Sequence, residues 1–110
     1  MATPLAERRC AVCRPGAPTL PTEQAKRLLQ QLDGWHVEGG LLVKTVTFKG
    51  FMPGVRLVDR IAEVAEAEGH HPDLHLSYGL LRIELTTHAA GGLTENDFIL
   101  AAKIDRLLPA

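Results

Sequence analysis

The sequence predicts an α+β fold of order α-β-β-α-β-β-α, a four-stranded antiparallel sheet with three helices on one face. Three observations carry this expectation. Two stretches alternate polar and apolar residues on either side of a tight glycine turn, which is the pattern of a β-hairpin. Three other stretches, one before, one between and one after the hairpins, repeat apolar residues at helical spacing. The chain has 110 residues, 45% of them apolar and 23% charged, which suits a single core.

The elements follow in order. Met1 to Pro18 holds Pro4, Pro15, Gly16 and Pro18 and reads as an extended lead-in rather than a packed element, leaving residues 19–110 as the domain. The first helix opens at Thr22, a good N-cap residue, although Ala25 lacks the carboxylate of a capping box. Leu28, Leu29 and Leu32 share one face, and Asp33-Gly34 stops the helix near residue 32. Trp35 to Glu38 is a short strand, Gly39-Gly40 its turn, and Leu41 to Phe48 the return strand, rich in β-branched residues. Phe51 to Glu68 is a long helix that tolerates Pro53 in its first turn.

This long helix carries two apolar stripes. Val55, Val58, Ala62 and Ala65 form one, and Leu57, Ile61 and Val64 form the other. Two readings stand: a deeply buried helix, or a second stripe that meets another copy of the chain. Gly69 caps the helix, and Pro72 forces His71 out of helical conformation. Leu74, Leu76 and Tyr78 alternate with Asp73, His75 and Ser77 in a third strand tipped at Tyr78-Gly79. Leu81, Ile83 and Leu85 alternate with Arg82, Glu84 and Thr86 in a fourth, with His88 at its end. Thr94 then caps the last helix with Asp97 at its third position, an approximate capping box.

Composition excludes several classes. The net charge of −1 supplies no global field to draw in nucleic acid or an acidic membrane. No apolar run approaches the ~20 residues of a membrane-spanning helix. The polar N-terminus lacks a signal-peptide core, so a cytoplasmic location is expected. Cys10 and Cys13 form a lone Cys-x-x-Cys without two further ligands nearby. Minor, unpaired thiols are the favoured reading, with a weak metal site or an intersubunit link as alternatives.

The chemistry concentrates between residues 66 and 97. Four of the five histidines lie there: His70, His71, His75 and His88. Imidazole titrates near neutral pH and so serves as acid or base. Glu66 precedes His70 by four residues, so on a helix the two are neighbours. That carboxylate and the helix C-terminus both favour a charged His70, ready to donate a proton to a departing hydroxide. If the last two strands form a hairpin, residues 70 to 73 lie across from the high eighties, which brings His88 within reach of His70 and His71. His75 alternates with apolar residues and faces solvent or an interface, and His36 is isolated. Adjacent histidines rarely ligate one ion together, and common zinc spacings are absent, so no metal is expected.

Glu66-x-x-x-His70-His71-Pro72, followed by Tyr78, His88 and Asp97, resembles the signature of the pterin-4a-carbinolamine dehydratases. The resemblance extends over Gly34-Trp35, Thr45 to Phe48, and Gly92 to Asp97, and so covers about residue 20 to the end. It implies loss of water from a 4a-hydroxytetrahydropterin to give a quinonoid dihydropterin, within pterin recycling and without metal or organic cofactor. By position, His70 becomes the principal acid/base, His88 the second proton-transfer group, His71 the residue that orients the pterin, and Glu66 the one that orients His70. Trp35, Asp73 and Asp97 would border the pocket or brace its histidines. A homodimer or homotetramer is expected. The alternative is a non-enzymatic role in pterin binding or as a dimerisation cofactor of a transcription factor.

Overall fold

The computed structural model describes residues 4–11 and 15–108. Among these, three α-helices and four strands alternate in the expected order: α1 (Thr22–Leu29), β1 (His36–Glu38), β2 (Leu41–Thr47), α2 (Met52–Glu68), β3 (Asp73–Ser77), β4 (Leu80–Leu85) and α3 (Glu95–Asp105). Both hairpins form with two-residue turns, Glu38 opposite Leu41 and Ser77 opposite Leu80. The sheet is antiparallel throughout, in the order β1-β2-β4-β3. The two hairpins therefore meet through their return strands, with Leu42 opposite Leu85 and Thr47 opposite Leu80.

One face of this sheet holds the core. Leu42, Leu81, Ile83 and Leu85 are fully buried and join Leu57 and Ile61 of α2 and Phe98, Leu100 and Ile104 of α3. Eight of the 11 residues of α3 are buried. A helix apolar on nearly every side needs cover on every side. The sheet, α1, α2 and a 3₁₀ turn at Leu5–Glu7 provide it.

The second stripe of α2 belongs to this core. Leu57 and Ile61 are fully buried, which overturns the reading that they meet another copy. Periodicity showed two apolar stripes but not which one the sheet would cover. Of the first stripe, Ala65 is buried, Val55 and Val58 are half-buried and Ala62 is exposed. The start of α2 lies so close to the sheet that a Cβ at Gly54 would collide with the Phe48 ring and with Leu76 Cδ1.

Two local expectations change. The N-cap of α1 is Pro21, and Thr22 is the first helical residue. The Leu20 N–H donates to the Leu93 carbonyl (2.9 Å), which holds the chain extended as far as Pro21, and the helix begins one residue earlier than a Thr22 cap would give. The lead-in is also packed where it is described. Leu5 is 3% exposed within the core cluster, because α3 would otherwise leave an apolar flank in water. No described helix is long and apolar enough to cross a membrane.

The opposite face of the sheet carries charge. Arg82 donates to Glu84 (2.7 Å) and Glu38 (2.9 Å), while His36 lies against Glu38 (2.9 Å) and His75 against Glu84 (3.2 Å). Hydrogen bonds from His36 and then Arg82 hold the Glu38 carboxyl below its ordinary value of 4.5. Arg82 and then His75 do the same for Glu84. A carboxylate depressed by folding stabilises the native state above its unfolded pKa and loses that contribution as pH falls through the lower folded value. Arg82→Met should therefore lower the Tm at pH 6, and the gap to the parent should close as pH drops below 4.5. A gap that persists unchanged at pH 3 would show that Arg82 acts through packing alone.

Candidate active site

His70 and His71 reach the site because α2 ends immediately before them. Gly69 adopts φ 67, the left-handed turn that glycine accepts most readily. The N–H groups of Gly69 and His70 close on the Ala65 carbonyl at 2.9 and 3.3 Å. Pro72 then keeps the chain extended into β3. Asp73 pairs with Glu84, and extending that register places residues 70 and 71 opposite 87 and 86.

His88 sits differently from expectation. β4 ends at Leu85, three residues before it. Thr87 and Gly92 form an antiparallel bridge, exchanging N–H···O bonds of 3.1 and 3.3 Å. His88 is the first residue of the loop that this bridge closes, and it is exposed. The strand stops because its partner β3 has already ended on the other side, leaving no ladder for residue 88 to join.

His70, His71 and His88 nevertheless line one cavity of about 360 Å³, together with Glu68, Thr87 and Asn96. That volume lies at the lower end of the range for small-ligand sites, about 300–1,000 Å³.

His70 is the most constrained of the three. Its Nε2 lies 2.6 Å from Asp97 Oδ1, with the His70 side chain 12% exposed and that of Asp97 fully buried. The other oxygen, Oδ2, accepts the Thr87 hydroxyl and the Thr94 N–H, both at 2.9 Å. Asp97 is also the third helical residue of the capping box that starts α3. One buried carboxylate thus caps a helix and fixes an imidazole. An ionised carboxylate only accepts, so Nε2 carries the proton and Nδ1 is the nitrogen left for a ligand.

Glu66 is not the partner of His70. Its Oε1 lies 2.6 Å from His71 Nε2, and both side chains are mostly exposed. The four-residue rule holds only while the helix continues. The left-handed turn at Gly69 takes His70 off the helical path and turns His71 back over the last turn of α2. Trp35 and Asp73 also lie away from this cavity. Trp35 is buried at the far end of α3, where its Nε1 donates to Asp105 (2.9 Å), while Asn96 lines the cavity from the N-terminal end. Asp73 is exposed on β3, opposite Glu84.

Several neighbours of the cavity escaped the sequence. Thr87 and Asn96 flank residues that were singled out, but nothing in their spacing marks them. Glu68 and Cys10 meet across 58 residues of chain, with the Cys10 N–H donating to Glu68 Oε1 (2.8 Å). Burial, reinforced by the Glu68 charge, pushes the Cys10 thiol up to about 12, so it stays protonated near neutrality. Cys13 lies outside the described residues. Among the described residues, no group of three or more His, Cys, Asp or Glu side chains is arranged to hold a metal ion.

Known proteins resemble the chain over nearly its whole length. The profile of the family described as pterin 4 alpha carbinolamine dehydratase matches residues 18–107. A protein of Nitrosomonas eutropha described as "Putative pterin-4-alpha-carbinolamine dehydratase" is 46% identical over 105 residues, 94% of this chain and 93% of that protein. One of the same description from Rubrobacter xylanophilus is 42% identical, covering 94% of this chain and 97% of its own. The crystal structure of a transcriptional coactivator/pterin dehydratase from Brucella melitensis superposes with a TM-score of 0.76 at 30% identity, covering 81% of this chain and 97% of that one. A pterin dehydratase-like RuBisCO assembly factor of the alpha-carboxysome shares the fold, with a TM-score of 0.59 at 23% identity. With its histidine cavity, its element order and this match from residue 18 to 107, the chain belongs to the pterin-4-alpha-carbinolamine dehydratase family.

Proposed function

We propose that the chain catalyses dehydration of a 4a-hydroxytetrahydropterin to the quinonoid dihydropterin, releasing water, as a step of pterin recycling in the cytoplasm. The observation that carries this is the meeting of His70, His71 and His88 around one cavity, with His70 braced by a buried carboxylate. The C4a–O bond breaks while an acid protonates the leaving hydroxyl and a base removes the N5 proton. Atoms and charge balance, because the proton given to oxygen is matched by the one taken from nitrogen.

His70 is the principal acid/base, working through Nδ1 while Asp97 holds Nε2. His88 is the second proton-transfer group. Its place on an exposed loop suits exchange with solvent, which resets the pair after each turnover. His71, steadied by Glu66, orients the pterin. No metal or organic cofactor enters this scheme.

The test follows the decay of freshly generated 4a-hydroxytetrahydropterin with and without the protein. Dehydration also occurs uncatalysed, so the expected result is acceleration in proportion to protein concentration. Decay at the background rate would sink the assignment. Treatment with a chelator should leave the accelerated rate unchanged, and a large loss would put a metal in the mechanism.

Assembly into a homodimer or homotetramer belongs to the same proposal. Phe51, Met52 and Tyr78 are exposed, and the Gly79 N–H donates to the Gly50 carbonyl (3.0 Å), bringing the β3–β4 tip to the start of α2. Exposed aromatics gathered at one end favour contact with a second copy. Light scattering that returned the mass of a single chain would count against it.

A further inference from the structure

Residues 4–11 take no part in the proton transfers above, yet Cys10 and Ala11 line the same cavity as the three histidines. Side chains of the domain clamp this arm at several points. Lys103 Nζ donates to the Ala6 carbonyl (3.0 Å), Arg8 pairs with Glu95 (2.6 Å), and Glu68 accepts the Cys10 N–H (2.8 Å). Asn96 completes the clamp with both ends of its amide. Its Oδ1 accepts the Ala11 N–H at 2.9 Å, and its Nδ2 donates to the Ala11 carbonyl at 2.6 Å.

Two features argue for more than anchoring. Leu5 is already buried in the core and the 3₁₀ turn already covers α3, and Cys10 adds only a partly buried side chain to that apolar cover. The second set of contacts lies at the cavity, and it occupies Glu68 and Asn96, polar groups that would otherwise face a ligand there. Asn96 also immediately precedes Asp97. One turn of α3 therefore holds His70 through Asp97 and the arm through Asn96, so imidazole and arm share a rigid reference. Further along, the Gly16 N–H donates to the carbonyl of Ala89, the residue after His88 (2.8 Å). The segment before α1 thus meets the cavity rim a second time.

We propose that the N-terminal arm is one wall of the substrate site, held by Asn96 and Glu68 as positioning residues, so that Cys10 and Ala11 pack against a flat bicyclic heterocycle facing the histidines. The inference rests on the dehydratase reading for the identity of that heterocycle. The wall is uncharged, since the Cys10 thiol is protonated and directed at the Asn96 carbonyl (3.6 Å). Its contribution is van der Waals contact and exclusion of water, which act equally on bound substrate and on transition state. Such uniform binding appears in KM and not in kcat.

The test uses the full chain with Leu5→Ala, which loosens the arm at a position outside the cavity lining, and separately Asn96→Ala, which cuts the clamp. In a Cys13→Ser background, alkylation of Cys10 by iodoacetamide reports whether the arm has left its seat. Release should speed alkylation by about 10-fold or more as the thiol is exposed. Leu5→Ala should raise KM for the carbinolamine by about 5- to 20-fold with kcat within about twofold, and Asn96→Ala should raise KM at least as much. An arm shown to be released with KM unchanged would overturn the proposal. So would a fall in kcat at constant KM, which would mean that the arm acts through the histidines. Alkylation that Asn96→Ala leaves at the parent rate would overturn it as well, because the clamp would then hold nothing. If the parent chain itself fails to accelerate dehydration, it is the dehydratase assignment that fails, a result read before any variant is compared.

Discussion

His70→Gln is expected to slow dehydration by about 10²- to 10⁴-fold, the usual contribution of one positioned acid or base. Glutamine is the informative replacement. Its side-chain amide offers Asp97 a donor near the position of Nε2, so the buried carboxylate keeps a partner. It cannot exchange a proton near neutrality, so chemistry is lost while packing is kept. His70→Ala would confound the two, because Asp97 is fully buried and would lose its Oδ1 partner. The measurement is kcat alongside Tm. A fall in kcat of less than about tenfold with an intact Tm would remove His70 from the chemistry.

Asp97 should give the largest combined effect. Asp97→Ala removes the acceptor for His70, for the Thr87 hydroxyl and for the Thr94 N–H at one stroke. Breaking a buried, hydrogen-bonded pair costs about 3–5 kcal/mol, and loss of a helix cap adds about 1 kcal/mol. In a domain of this size that lowers Tm by more than about 10 °C. Asp97→Asn separates the two roles. The asparagine oxygen can still accept from Thr94 and Thr87, so the cap survives and Tm falls only modestly. Its NH₂ then faces His70, which must turn Nε2 into an acceptor and place its proton on Nδ1. The nitrogen not held by residue 97 thereby changes from acceptor to donor in the neutral ring, and kcat should fall by about 10²- to 10⁴-fold. A fast Asp97→Asn enzyme would show that the tautomer of His70 does not matter, and that Asp97 serves the helix alone.

The histidines show how far local pattern reaches. Gly69 and Pro72 announced a sharp exit from α2, and the alternation on either side of Tyr78-Gly79 announced a hairpin. Together they were enough to bring residues 70 and 71 close to the high eighties, and in the structure His70 and His71 line one cavity with Thr86, Thr87 and His88. The pairing of His70 with Glu66 failed because it assumed a helix running on to residue 70, two residues past the end that Gly69 imposes at Glu68. Its true partner, Asp97, showed in the local pattern as a helix cap, and only the family resemblance suggested that it could brace a histidine. Capping is a local act, whereas bracing His70 requires α3 to dock its N-terminus against the end of α2, 27 residues earlier in the chain. Trp35 failed for the same reason in reverse. Its position at the start of a strand said nothing about which end of α3 it would meet.

The sequence by itself determined the seven elements, both hairpin registers and the three imidazoles, because turn chemistry and apolar period act between residues close along the chain. Only the tertiary structure decided which stripe of α2 went inside, that β2 and β4 meet at the centre of the sheet, and which carboxylate each histidine faces. It also decided that the N-terminal arm lies against the cavity. Those outcomes depend on how separate elements bury one another's apolar surfaces. That is a competition among distant segments, and no local spacing records who wins it.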